Sequence, residues 1–191
     1  INRYSFKRIL TACPHCFNTL KNEYPQFDNG SWPLENHVEF IAKLLEDKKI
    51  TLKDAKEASV TLHDACYLAR YNDVEKAPRR ILIQACSSID EAHDKASCAT
   101  CCGAGGAQIF MDRPARINAI RLDELKAAGG SQLAVECPHC LTMLTSAQAQ
   151  QNSQQPALKI SDIAEIVARN LNESDDSSTA HAEASLTSRR S

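Results

Sequence analysis

Lysine and arginine form no run longer than two in this sequence, and their 22 residues are slightly outnumbered by 24 aspartates and glutamates. That balance offers no electrostatic footprint for nucleic acid or for an anionic membrane surface. Long apolar runs are lacking too. None approaches the ~20 residues that span a bilayer, and no basic, apolar and small-residue leader precedes the first predicted strand at residues 8–12. Nor does a proton-transfer dyad, a nucleophile–base pair or a phosphate-binding loop stand out. Gly103-Ala104-Gly105-Gly106 is too short for such a loop and is not followed by Lys-Ser or Lys-Thr. These absences move the search for chemistry to cysteine.

The chain has nine cysteines, including an adjacent pair and two Cys-x-x-Cys motifs. In a chain expected to be cytoplasmic, where thiols stay reduced, that usage points to metal or redox work rather than to structural disulfides. The spacing is regular. Thirty-four residues, 67 to 100, separate Cys66 from Cys101-Cys102, and thirty-four more, 103 to 136, separate that pair from Cys137-Pro138-His139-Cys140. Five thiols on three separated loops resemble a soft-metal cage. Thiolates select zinc or iron–sulfur, and a fifth sulfur is more than tetrahedral zinc can use, so an iron–sulfur cluster is favoured. Gly103, Gly105 and Gly106 would let backbone approach a bulky inorganic core. Two adjacent thiolates serve one tetrahedral ion poorly but can bind different irons of one cluster.

Short apolar runs at 8–12, 59–63 and 132–136 predict strands, each ending at a cysteine-bearing loop. Helical periodicity is expected at 14–22, 37–48, 73–86, 114–128, 138–150 and 161–171. Alternation of strand and helix predicts an α/β fold with short parallel sheets flanked by helices. Ligands in such folds bind beyond the carboxyl ends of strands, where Cys66 and Cys137 are expected to meet. Pro138 suits a first helical position. It would place Cys137 at the cap, where unpaired amides and the helix dipole favour thiolate. Gly129-Gly130 is read as the close of the preceding helix.

The segment 8–20 parallels 132–144 at an offset of 124 residues, aligning Cys13-Pro14-His15-Cys16 with Cys137-Pro138-His139-Cys140. At that offset the equivalents of Cys66 and Cys101-Cys102 would fall before residue 1, and the first residue is Ile1 rather than methionine. The expectation is two tandem pseudo-repeated modules, the first truncated. Residues 1–52 would be the end of the first module, 53–171 a complete second one, and 172–191 a disordered tail rich in Ser, Thr, Asp, Glu and Ala.

The arrangement Cys-x34-Cys-Cys-Gly-x33-Cys-x-x-Cys resembles the cysteine-rich CCG domain of the heterodisulfide reductase family, most closely over 11–27, 63–71 and 101–111 and more broadly over 4–171. Within that family the similarity is to iron–sulfur oxidoreductases that carry an upstream cubane-cluster domain, and sometimes a membrane part, before two CCG modules. The resemblance implies a [4Fe-4S] centre on Cys66, Cys101, Cys102, Cys137 and Cys140, which in heterodisulfide reductase is non-cubane; some CCG modules instead bind zinc. It also implies electron relay from a flavoprotein or another iron–sulfur subunit to a disulfide or quinone. FAD and further clusters would sit on other segments or subunits, and a membrane part would place the protein at the cytoplasmic face. The chain departs from the family pattern at Ala65, usually proline, at Ala69, usually glycine, and at the additional Cys98.

Two other classes remain. Cys-Pro-His-Cys at a helix start is also the arrangement of a thiol–disulfide oxidoreductase, and a zinc-stabilised interaction domain would use four cysteines and leave one idle. Cys13 and Cys16 are metal candidates without their upstream partners. Cys86 reads as core, and Cys98 as a loop residue or spare ligand. His15 and His139 read as exposed helix-start side chains or as tuners of thiol potential. His63 reads as a shaper of the cluster loop or a plain strand-end hydrogen bond, and Arg70, Tyr71 and Asn72 as an access path or a solvated stretch at a helix start.

Overall fold

The computed structural model describes residues 1–27, 30–54, 56–105, 116–151 and 157–172. Gly106 and, of the tail expected at 172–191, residues 173–191 lie outside the described residues, while Asn172 is held by hydrogen bonds to Thr51. Among those described, seven α-helices flank two short parallel sheets, in agreement with the α/β expectation. Strand β1 (Ile9–Thr11) leads into helix α1 (Pro14–Asn18), and β2 (Leu34–Asn36) into α2 (His37–Glu46). β1 and β2 pair in parallel, Thr11 opposite Asn36. The larger sheet has the order β3 (Val60–His63), β4 (Gln132–Val135), β5 (Lys159–Asp162), again parallel, with His63 opposite Val135 and Val135 opposite Asp162. Helices α3 (Cys66–Asn72), α4 (Lys76–Ala85), α5 (Ile117–Ala127), α6 (Pro138–Gln150) and α7 (Ile163–Asn170) complete the fold.

Every residue of β3 and β4 is buried, as expected for parallel strands covered on both faces. One apolar cluster runs through Leu62, Leu82, Leu122, Leu133, Leu144 and Ile166, and it includes Phe17, Val38 and Leu45 from the N-terminal segment. That segment is thus part of the same core. Gly129, at φ +92, follows α5 as its left-handed terminator. Gly130 is there for space, because a Cβ would come within 2.5 Å of the Thr61 backbone nitrogen.

Three elements differ from the sequence expectation. α3 is an additional helix, closed by Asp73, which turns left-handed at φ 57; the helix expected at 73–86 follows as α4, with Pro78 in its first turn, where proline is tolerated. The helix expected at 161–171 begins later, after strand β5. Asp162 ends that strand and caps α7, its side chain accepting from the Ala164 amide while Glu165 reaches back to the Asp162 amide. β2 is an additional strand, since three residues with one apolar side chain carry no readable period. α6 spans Pro138–Gln150, as expected.

Glu57 ties the approach to β3 to two later elements. It accepts from Arg169 Nε (3.0 Å), Gln132 Nε2 (2.9 Å) and Asn170 Nδ2 (3.0 Å). The Arg169 bonds, with help from Gln132 and Asn170, lower its carboxyl from 4.5 to about 2. A depressed carboxyl contributes stability that is complete above pH 4.5 and fades as pH falls towards 2. Glu57→Gln is expected to cost about 2 kcal/mol at pH 7, in the range of hydrogen bonds to a charged group, and distinctly less at pH 3. Urea denaturation at both values measures this; an equal loss at both would show that the charge is irrelevant.

Candidate metal centre

β3 and β4 are parallel neighbours, so their carboxyl ends fall side by side. Cys66 opens α3 two residues after Asp64, and Cys137 caps α6 with Pro138 at its first position. Between them comes the loop bearing Cys101 and Cys102. The five sulfurs form one continuous row. Cys66 adjoins Cys101, Cys101 adjoins Cys102, Cys140 Sγ donates to Cys102 Sγ across 3.2 Å, and Cys140 adjoins Cys137. Cys102, Cys137 and Cys140 are buried, Cys66 and Cys101 partly so, and all are unbridged.

Backbone amides converge on this row. Gly103, in a left-handed turn at φ +84, points its N–H at Cys101 Sγ (3.3 Å), joined by the Gly105 amide, while the Ala104 amide faces Cys102. Around Gly105 a Cβ would meet nothing within 4 Å. Its role here is therefore the aimed amide, and steric clearance from protein atoms does not require glycine. Two thiols of the row are shifted down and three up. Hydrogen bonds from Cys102 and Cys66, backed by the Gly103 and Gly105 amides, draw Cys101 far below the usual thiol range. Cys137 drops to about 5, foremost through the adjoining Cys140 and then through His15, with the Cys140 and His139 amides behind them. The neighbours shift in the opposite direction: Cys101 pushes Cys66 up and raises Cys102 to about 12, and Cys102 and Cys137 push Cys140 up. Like charges this close cannot all form unaided. Full deprotonation needs a cation among the sulfurs, and a set of five thiolates suits soft iron better than hard divalent ions.

Cys13 caps α1, and its sulfur accepts weakly from the Cys16 amide (3.5 Å). These two thiols stand apart from the row, with His15 between. Cys137 is foremost in raising the His15 pKa, with Cys13 adding to it. Its ring lies 5.3 Å from that of His139 at right angles and 4.2 Å from Tyr67. His139 is exposed, as expected, but His15 is not; the two Cys-Pro-His-Cys helix starts face each other across this histidine. Cys98 is exposed on a short 3-10 turn outside the row, and Cys86 is core, its thiol raised to about 11 by burial. Arg70 holds the Cys98 turn through the Ser97 and Ala99 carbonyls (3.0 and 2.9 Å). Tyr71 stacks on Tyr67, and Asn72 joins the Tyr67 carbonyl to Asn18 of α1.

His63 makes the strand-end hydrogen bond its sequence position suggested. Its Nδ1 accepts from Arg121 Nε (3.2 Å), and one of its ring nitrogens lies with the sulfurs of Cys102 and Cys140 in a group whose atoms are all within 4.8 Å of one another. Burial, with the Arg121 guanidinium, lowers its pKa to about 3. Several supporting residues carried no readable signal. Arg121 lies within helix α5 yet is fully buried. Arg79 grips the buried Asp64 with two bonds (2.8 and 3.0 Å) and Glu91 with two more (2.7 and 2.9 Å). Glu136 is fully enclosed, and burial pushes its carboxyl well above the usual range. A charged residue closing the apolar run Leu133-Ala134-Val135 was the one available hint.

Strand-end loops that gather five thiols and aim amides at them define a cysteine-rich, soft-metal-binding module of an α/β protein. Residues 60–145 match the cysteine-rich domain family CCG. That segment carries the cysteine-rich domain, and the chain is similar to proteins named as iron–sulfur oxidoreductases and as heterodisulfide reductase components. It is 32% identical over 179 residues to an EtfAB:quinone oxidoreductase of Syntrophomonas wolfei, covering 87% of this chain and 24% of that protein. It is 36% identical over 177 residues to a probable membrane-anchored ferredoxin of Chromohalobacter salexigens, covering 90% and 26%. To a dihydromethanophenazine:CoB–CoM heterodisulfide reductase component of Methanosarcina mazei it is 30% identical over 171 residues, covering 86% and 41%. The chain thus spans about a quarter of the two bacterial relatives and about two fifths of the archaeal one. Among the described residues no helix is long and apolar enough to cross a membrane.

Proposed function

We propose that Cys66, Cys101, Cys102, Cys137 and Cys140 hold one [4Fe-4S] centre, in a non-cubane form, and that the chain is an electron-transfer module of a larger oxidoreductase. The continuous row of five sulfurs from three loops supports this best, with Cys102 and Cys140 only 3.2 Å apart. Bound there, the cluster would supply one-electron transfer. The protein's own part is to hold the sulfurs, neutralise their charge with the Gly103, Ala104 and Gly105 amides, and keep water from the buried end of the row. The whole enzyme would pass electrons from a flavoprotein or another iron–sulfur subunit to a disulfide or quinone. FAD, further clusters and any membrane part would lie on other segments or subunits.

The order strand, Cys-Pro-His-Cys helix, strand, helix occurs over 9–46 and again over 132–170. β1 pairs with β2 as β4 pairs with β5, and among the described residues no strand pairs with the edge of β1 that corresponds to the β3 position. This supports a tandem reading in which Cys13 and Cys16 complete a second centre with thiols from an upstream segment. Anaerobic purification with iron and sulfide analysis tests both parts. One cluster per chain is expected here and two in a protein extended upstream. Stoichiometric zinc would favour the interaction-domain reading. A colourless, metal-free protein with a reactive thiol would favour disulfide exchange, for which the lowered Cys137 speaks and its burial, at 1% exposed, speaks against.

A further inference from the structure

The triad of His63, Cys102 and Cys140 offers one nitrogen and two sulfurs, all buried, within 4.8 Å of one another. Taken by itself that is a metal-ligand set. The atom on the other side of the imidazole decides otherwise. Arg121 Nε donates to His63 Nδ1 across 3.2 Å, and a guanidinium has no acceptor to offer. Nδ1 must therefore be unprotonated. A neutral imidazole in that position carries its proton on Nε2, which is then a donor and has no lone pair for a metal. His63 is 1% exposed and Arg121 fully buried, so neither can exchange these roles with solvent. His63 Nε2 has no hydrogen-bond partner among the described residues. A buried N–H left without an acceptor is destabilising, which is reason to look for the acceptor it is placed to meet.

We propose that His63 is a positioning residue whose Nε2–H donates to an inorganic sulfide of the cluster held beside Cys102 and Cys140, and that Arg121 fixes it in that tautomer. The inference rests on the iron–sulfur reading above. Its consequence is electronic. A hydrogen bond to a cluster sulfur stabilises the reduced, more negative state and raises the reduction potential. Arg121 adds a buried guanidinium behind the imidazole, only partly answered by Glu124 at 2.8 Å. The device sits at Cys102 and Cys140, next along the row from the Gly103 and Gly105 amides at Cys101, so neighbouring sulfurs are served by different donors.

Redox titration of the holo-chain tests it. His63→Leu, with iron and sulfide unchanged, is expected to shift the one-electron reduction equilibrium about tenfold towards the oxidised form, about 59 mV. His63→Gln, which can place an N–H near the same point, should restore most of the shift. An unchanged potential in His63→Leu overturns the proposal. If that variant loses iron, pulsed EPR of the reduced parent labelled with 15N-histidine decides. A weak nitrogen coupling with an exchangeable proton supports donation, whereas a strong coupling of a direct ligand, or none, overturns it. If the parent holds no iron, the functional reading fails on its own. The 15N NMR tautomer of His63 in that same chain then decides this inference, with a proton on Nε2 supporting it and a proton on Nδ1 overturning it.

Discussion

Replacing Cys102 by serine is expected to abolish or bleach the centre, with iron falling to a small fraction of the parent value. Cys102 occupies the middle of the row, adjoining Cys101 on one side and 3.2 Å from Cys140 on the other. It is also 3% exposed, so no water can take over its role. Serine keeps the size but offers a hard oxygen whose proton is far harder to remove than a thiol's, and soft iron–sulfur chemistry selects thiolate. The fold should survive, since the change is nearly isosteric and the surrounding core is unaltered. Iron and sulfide analysis with low-temperature EPR measures the outcome. A Cys102→Ser protein with full iron and an unchanged spectrum would remove Cys102 from the cage and with it the five-sulfur reading.

The second large effect is expected at Arg79, which lies in α4, remote in sequence from the thiols, yet is the hub of the loop that delivers Cys101 and Cys102. Asp64 has a side chain with no exposed surface, and Arg79 is its counter-charge through two hydrogen bonds. The same carboxylate accepts from the Ala96 amide at 2.8 Å, holding a non-glycine residue at φ 52. Burial alone would lower the Arg79 pKa, and Asp64 and Glu91 raise it overall. Arg79→Met keeps the apolar stem and removes the charge. Leaving a buried carboxylate unpaired should cost about 3–5 kcal/mol, measured by urea denaturation, and should loosen cluster retention because the Ala96 turn leads directly to Cys101. Adding Asp64→Asn should recover part of the loss. A cost below about 1 kcal/mol would mean that water or a shifted lysine replaces Arg79, against the buried-pair argument.

Much of this molecule is legible in its residues. Cysteine identity alone selects soft-metal chemistry, because thiolate–iron bonding depends first on the ligand atom. Proline after Cys137 and glycine after Cys102 mark a helix start and a left-handed turn, both local conformations set by single residues. Short apolar runs at 59–63 and 132–136 mark buried parallel strands, and that pairing places Cys66 and Cys137 at one edge. The helix at Pro138–Gln150 is equally local in origin, with a proline start and a sustained helical period.

What the tertiary structure alone decided is the order of neighbours. A period of 3.6 or 2 tells which face of an element is buried and never which residue it meets, so the pairing of Arg121 with His63, 58 positions apart, has no trace in either local pattern. The same holds for Arg79, which reads as a solvated helix cation until Asp64 and Glu91 are seen around it. It holds also for His15, which lies against Cys137 only because Phe17 and Val38 bury the N-terminal segment in the common core. Short strands such as Leu34–Asn36 belong with these, since they are fixed by a partner strand and not by their own composition. Ligand type is a property of side chains and is written locally. The electrostatic setting that tunes those ligands arises from long-range packing, and it exists only once the chain has folded.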